Sequence, residues 1–205
     1  DCQLVEEVIA VFDTTLSVHT AYGSGGAEEF FCTILDLLSR QEWSKRLILY
    51  KPKNDFATLR SDLTPEAFAA YERLRAHPRC ITLEATMSPG VAIAEADLTI
   101  SIAYTSTTVE ALGTSRRAIY YDPGGKFPKS YYDGFPNLVA HNYDELVRLC
   151  EFWLSLPKAA LRDYLDHYVA PEFGGRLDGG AIERFRAALV SNNHSGKDKD
   201  SSRNE

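Results

Sequence analysis

One stretch constrains the fold of this chain more than any other. It runs from Ala96 to Gly113 as ADLTISIAYTSTTVEALG and is followed by RAIYYDP at Arg117 to Pro123. It reads as a strand, a hydroxyl-rich turn, a short helix with a glycine stop, and a second strand. The run from Leu98 to Tyr104 is apolar and β-prone, the signature of a strand buried in a parallel sheet. Thr105, Ser106 and Thr107 fall at the helix start, where hydroxyls can cap the first turn and free backbone N–H groups attract an anion. Glu110 follows one turn later. A phosphate on the N–H groups and a ribose hydroxyl on Glu110 would make a nucleotide site. The plainer alternative is an ordinary capped helix whose glutamate favours its own dipole.

Other segments alternate in the same way. Short β runs are expected at Val8 to Phe12, Arg46 to Tyr50, Cys80 to Leu83, Leu98 to Ala103 and Ala118 to Tyr121. Helical spacing is expected at Ala27 to Ser39, where Phe30, Phe31, Ile34, Leu35 and Leu38 share a face. It recurs at Pro65 to Arg75 after a Thr64 cap, from Ser88-Pro89 to Ala94, and from Thr107. Extra C-terminal helices are expected at Tyr143 to Leu154, Lys158 to Tyr168 and Gly180 to Val190. The pattern predicts an α/β fold: a Rossmann-like open parallel sheet of order 3-2-1-4-5 with helices on both faces. The order reverses between strands one and four, and ligands of such sheets bind beyond the strand carboxyl ends at that switch. The loops after strands one and four should therefore form one site.

Three loops carry candidate chemistry. After strand one comes Phe12-Asp13-Thr14-Thr15-Leu16-Ser17, then Tyr22-Gly23-Ser24-Gly25-Gly26. Hydroxyls and glycines at such a junction can cradle phosphate, although neither the P-loop spacing nor the dinucleotide fingerprint is present. A flexible connection is the alternative. Asp13, at a strand's carboxyl end, can act as a base, hold a substrate hydroxyl, or cap a turn. After strand two, Lys51-Pro52-Lys53-Asn54 sets two cations beside a rigid proline, suited to phosphate or carboxylate, or simply solvated. The long loop from Asp122 to Gly134 carries Phe127, Tyr131 and Tyr132, which can stack on a base or sugar, and Lys126 and Lys129, which can reach a phosphate. The same loop could instead pack on itself.

Composition narrows the classes. The 205 residues, 44% hydrophobic, suffice for one substantial core, expected over residues 1–191, with a polar, disordered tail at 192–205. A net charge of −7 argues against a nucleic-acid surface. No apolar run reaches membrane-spanning length. Cys2, Cys32, Cys80 and Cys150 lack metal or disulfide spacing, and the five histidines share no ligand spacing, so neither a metal nor another cofactor is implied. Reduced thiols and the missing secretory signal suit the cytoplasm. A chain beginning at Asp1 is expected to be part of something longer.

In order and spacing, residues 8 to 190 resemble the donor-binding, C-terminal half of GT-B-type bacterial surface-polysaccharide glycosyltransferases. The resemblance rests on Val11-Phe12-Asp13-Thr14-Thr15, Tyr50-Lys51-Pro52-Lys53, the segment Ala96 to Gly113, and Ala118-Ile119-Tyr120-Tyr121-Asp122-Pro123. Sialyl- and Kdo-transferase-like members carry a His-Pro motif after a strand and a Ser/Thr pair at a later helix start, both on the CMP of the donor. Here Ser106 and Thr107 match the pair, while Lys51-Pro52-Lys53 lacks the histidine. The resemblance implies a CMP-, UDP- or CDP-linked donor and a glycan acceptor bound largely by an N-terminal half that this chain lacks. It also implies peripheral association with the inner membrane face. Asp13, Thr14, Thr15, Lys51, Lys53, Thr105, Ser106, Thr107 and Glu110 would contact the donor, with Asp13 the candidate catalytic group. Transfer of an alditol phosphate from a CDP donor, sugar-nucleotide epimerisation, and a non-catalytic nucleotide- or glycan-binding module are the alternatives.

Overall fold

The computed structural model describes residues 4–172 together with 180, 182–184, 186 and 187. The expected helix from Gly180 to Val190 and the tail from Asn192 lie largely or wholly outside the described residues. The chain divides into two compact units, Asp1–Leu161 and Arg162–Glu205. The first holds a six-stranded, wholly parallel sheet of order β3-β2-β1-β4-β5-β6. Its strands are β1 (Glu7–Phe12), β2 (Arg46–Lys51), β3 (Cys80–Thr82), β4 (Leu98–Ile102), β5 (Ala118–Tyr121) and β6 (Val139–Ala140). The Rossmann-like α/β class and the order of the first five strands are as the sequence predicts. The sixth strand extends the sheet beyond that expectation.

The helices of this unit are α1 (Gly23–Ser39), α2 (Phe56–Asp62), α3 (Pro65–Ala76), α4 (Pro89–Glu95), α5 (Ser106–Gly113) and α6 (Tyr143–Ser155), and α7 (Lys158–Tyr164) follows. The expected helix to Tyr168 instead passes into a π-helical turn at Leu165–Val169. Helix α1 packs against α3, and α4 against α5. All five residues of β4 are buried, as in a strand covered on both faces. Aromatic side chains fill the space under α1 and α3, where Phe31, Tyr50 and Tyr71 meet with ring centroids 5.6 to 6.0 Å apart.

Two local readings are corrected. The glycine-rich segment after strand one is not a loop, because α1 begins at Gly23 and takes in Gly25 and Gly26. Tyr22 is buried just ahead of it, and a Cβ on residue 26 would stand 2.9 Å from Tyr22 Cβ. Packing of Tyr22 thus requires glycine inside the helix, against its low helix propensity. A helix that the sequence reading did not include, α2, follows Lys53. Asp55 caps α2, its carboxylate accepting from Thr58 N at 2.8 Å.

Register sets up the site. Phe12 at the end of β1 stands beside Lys51 of β2 on one side and Ser101 of β4 on the other. The three chains leave the sheet at the same level, so their loops start from one line.

Candidate functional site

At that line the carboxyl ends of β1, β2 and β4 open into a cleft of about 320 Å3. This falls within the roughly 300–1,000 Å3 range of small-molecule sites. Asp13 and Thr14 reach it from β1, Lys51 and Lys53 from β2, and Thr105, Ser106 and Thr107 from the β4–α5 turn. Seven of the nine sequence candidates therefore line one cleft, drawn from three stretches of a chain in which Asp13 and Thr107 stand 94 residues apart.

Asp13 is 5% exposed and held from two sides. Tyr50 Oη donates to its Oδ2, and Lys53 N donates to its Oδ1 at 2.5 Å. Burial pushes its carboxyl up to about 7, against the opposing pull of Tyr50, the Lys53 amide and nearby Lys51. With both oxygens accepting, Asp13 fastens the β2 loop to the end of β1. Lys51 is buried too, and its Nζ donates to Ala85 O at 2.8 Å. Burial draws this ammonium below the ordinary lysine range; Asp13 opposes the shift and Lys53 adds to it. Lys53 is exposed. Among the described residues neither lysine belongs to an ion pair.

The start of α5 departs from simple capping. Thr105 is the N-cap, but its side chain makes no bond to the first turn. Its Oγ1 lies 2.9 Å from Thr107 Oγ1, which in turn lies 2.7 Å from Ser101 Oγ. Ser106 Oγ donates to Glu110 Oε1 at 2.7 Å. The hydroxyls thus bond one another, and the first-turn N–H groups have no side-chain cap. Positive helix-end potential and two ammonium groups face the same cleft, an arrangement suited to a phosphate.

Two candidates stand apart. Thr15 is exposed and does not line the cleft. Glu110 lines a separate groove with Ile93 and Arg116. Four residues beyond Ser106 is one turn, about 6 Å farther along the axis, and the Glu110 carboxylate turns back to accept from the Ser106 hydroxyl. Three cleft residues escaped the sequence reading: Phe12, Pro89 and Tyr104. Pro89 opens α4, a helix the sequence shows without marking it as part of a site. Tyr104 lies two residues past β4 and could have been found by extending the loop reading back one residue.

Residues 3–150 match the family described as polysaccharide biosynthesis PFTS motif protein. The chain belongs to that family. No match is found among curated proteins. Solved structures similar to this PFTS-motif chain include a protein assigned as a UDP-N-acetylglucosamine 2-epimerase from Listeria monocytogenes. The two share 15% identity at a TM-score of 0.58, over 93% of this chain and 47% of that one. An α,α-trehalose 6-phosphate synthase from Burkholderia multivorans matches at 12% identity and TM-score 0.58, over 94% and 44%. S. aureus MnaA in its structure with UDP matches at 12% identity and TM-score 0.51, over 91% and 46%. The chain spans under half the length of each. These likenesses show a Rossmann-like fold of the type that makes one half of GT-B proteins. Among the described residues no helix is long and apolar enough to cross a membrane.

Proposed function

We propose that this chain is the donor-binding half of a GT-B-type glycosyltransferase of polysaccharide biosynthesis, which moves a sugar from a nucleotide donor to a surface-glycan acceptor. The observation that carries this reading is the convergence of Lys51, Lys53 and the α5 N-terminus on one cleft at the switch point of the sheet. Membership of a polysaccharide-biosynthesis family supports the pathway. A neighbour solved with UDP supports a nucleotide ligand.

In such a transfer an acceptor hydroxyl oxygen bonds to the anomeric carbon, the bond from that carbon to the donor phosphate breaks, and the hydroxyl proton passes to a base. Negative charge grows on the departing phosphate. The α5 N–H groups and the two ammonium groups would stabilise it in place, a contribution that needs no rearrangement during the step. Thr14 and Ser106 would orient phosphate or sugar oxygens. Asp13 serves this scheme as the anchor of the lysine loop, and the base would come from the acceptor half. Nucleotide sugars are taken to be supplied at the cytoplasmic face, where the protein would work.

A second reading, sugar-nucleotide epimerisation, is favoured by the likeness to the Listeria protein. Titration of the chain with CMP, UDP, CDP and GDP tests the shared requirement. One base should be preferred, and its free nucleoside should bind far more weakly. Transfer of labelled sugar to glycan by the complete protein supports the first reading. Epimer formation without an acceptor supports the second, and binding with neither reaction leaves a non-catalytic module.

A further inference from the structure

Beside the cleft, a histidine sits between two carboxylates, and no step proposed above uses it. His141 follows β6. Its Nδ1 lies 3.1 Å from Asp122 Oδ2, and its Nε2 lies 2.6 Å from Asp133 Oδ1. Asp122 directly follows β5 and is fully buried, whereas Asp133 belongs to the loop that runs from Pro123 to Phe135. That loop is fastened at several points. Asp122 Oδ2 accepts from Phe127 N at 2.8 Å, Asp133 Oδ2 accepts from Ser130 N at 2.6 Å, and Glu29 of α1 accepts from Gly124 N at 2.8 Å. Gly124 has φ +70°, and a Cβ there would stand 3.1 Å from Glu29 Oε2, so the tight start of the loop depends on glycine.

The same loop builds the back of one cleft wall. Tyr104 lines the cleft, and its ring stacks on Tyr132 at 5.0 Å and meets Phe127 at 5.8 Å. A second route joins the histidine to this wall. Tyr22 Oη lies 2.7 Å from Ala103 O and 3.1 Å from Asp122 Oδ1, one phenolic proton between two acceptors. Asp122 therefore touches the histidine, the loop backbone and, through Tyr22, the residue before Tyr104.

We propose that His141 is a proton-dependent latch: charged, it bonds Asp122 and Asp133 together and fixes the 123–135 loop behind Tyr104; neutral, it releases Asp133 and loosens that wall of the cleft. The chemistry is a count of protons. The imidazolium has two N–H donors and satisfies both carboxylates. Neutral imidazole has one, so a bare ring nitrogen faces a carboxylate oxygen. Glu145 of α6 also faces the residue, its carboxylate accepting from His141 N at 2.8 Å. Partial burial works against the charge, but the bonds to Asp133 and Asp122 outweigh it and hold the imidazole above its ordinary range. The latch is closed below that raised value and opens as pH rises through it. Its meaning for catalysis rests on the nucleotide reading of the cleft; the latch itself does not.

Hydrogen exchange of the ligand-free chain, measured from pH 6 to 9 as protection relative to the intrinsic rate, tests it. In the parent protein, segments 123–135 and 104–107 should lose protection about fivefold or more at one shared midpoint, the lower end of typical site coupling. His141→Gln should show no such midpoint. Asp133→Asn, a change at a partly exposed loop residue, should move the midpoint to lower pH and covers the case in which His141→Gln fails to fold. Asp13 lies in the cleft and titrates in an overlapping range, so the variant comparison isolates the histidine. A midpoint that survives in His141→Gln, or one that moves 123–135 without 104–107, overturns the proposal. UDP and CMP titrations over the same pH range add a separate reading. Affinity should weaken with the latch in the parent and not in the variant. Binding of neither nucleotide at any pH, with the exchange pattern intact, would remove the nucleotide function and leave the latch standing.

Discussion

The two ends of the parallel sheet handle charge in opposite ways. At the amino ends, charged groups cancel one another. Arg46 opens β2 and bonds Glu7 of β1 at 2.6 Å and Glu151 of α6 at 2.7 Å, with its guanidinium 4.8 Å over the Trp43 ring. Arg79 donates to the carbonyls of Leu38 and Trp43, and Asp97 accepts from Val8 N at 2.9 Å. These donors end on acceptors of the same unit. At the carboxyl ends of β1, β2 and β4, two lysines and an uncapped helix start point at shared open space, and the buried carboxylate among them is occupied with Tyr50 and the Lys53 backbone. Mutual satisfaction marks a framework, whereas converging donors mark a place for an anion.

The contrast can be broken most forcefully through pH. Asp13 has an ordinary value of 3.8 and is held near 7 when folded, so the folded chain keeps a proton that the unfolded chain has released. Stability should fall as pH rises from about 4 through about 7, on the order of 4 kcal/mol in all. Asp13→Asn should flatten that part of a urea-denaturation profile, and an unchanged slope would refute the buried acid. The amino end should behave with the opposite sign. Arg46 holds the Glu151 carboxyl below its usual range, so its contribution is present above the ordinary glutamate range and fades as pH falls through the depressed value.

Arg46→Ala gives the next largest effect. It strands Glu7 and Glu151 around a side chain that is 9% exposed, and should cost about 2 kcal/mol in denaturation experiments. Nucleotide affinity per folded molecule should not move. Lys53→Ala is the mirror image: about 1.5 kcal/mol, near tenfold, in affinity for the preferred nucleotide by calorimetry, with stability within about 0.5 kcal/mol of the parent. Equal loss for the free nucleoside would mean a packing defect instead of a missing phosphate contact. Ser106→Ala should show the smallest change, about 1 kcal/mol in affinity, or less if its bond to Glu110 is its main use. A lower melting temperature at unchanged affinity would move Ser106 to the framework side of the comparison.

The first five strands were legible because buried parallel strands are largely apolar, β-prone runs, and Leu98 to Ile102, broken only by the hydroxyls of Thr99 and Ser101, is such a run. β6 was not, since two residues, Val139 and Ala140, carry no period. α2 is only seven residues long, and its one local sign was Asp55 ahead of Thr58. The start of α1 was hidden because Gly25 and Gly26 oppose helix by propensity, and only the packing of Tyr22 explains Gly26. The candidate cleft was readable as three strand ends plus a topology. Glu110 was assigned to it because spacing along a sequence does not reveal direction along a helix axis. The group of Asp122, Asp133 and His141 left no trace, since 19 and 8 residues of irregular chain separate its members from the histidine.

The strand order has a consequence for assembly. The two rims of the sheet are its two shortest strands, three residues in β3 and two in β6, while the strands between them run to four, five or six. A rim strand exposes unpaired backbone groups to any chain able to line up beside it, and the number exposed scales with its length. Stubby margins give a passing strand little to grip. Lateral growth, sheet upon sheet, is thereby discouraged at both sides.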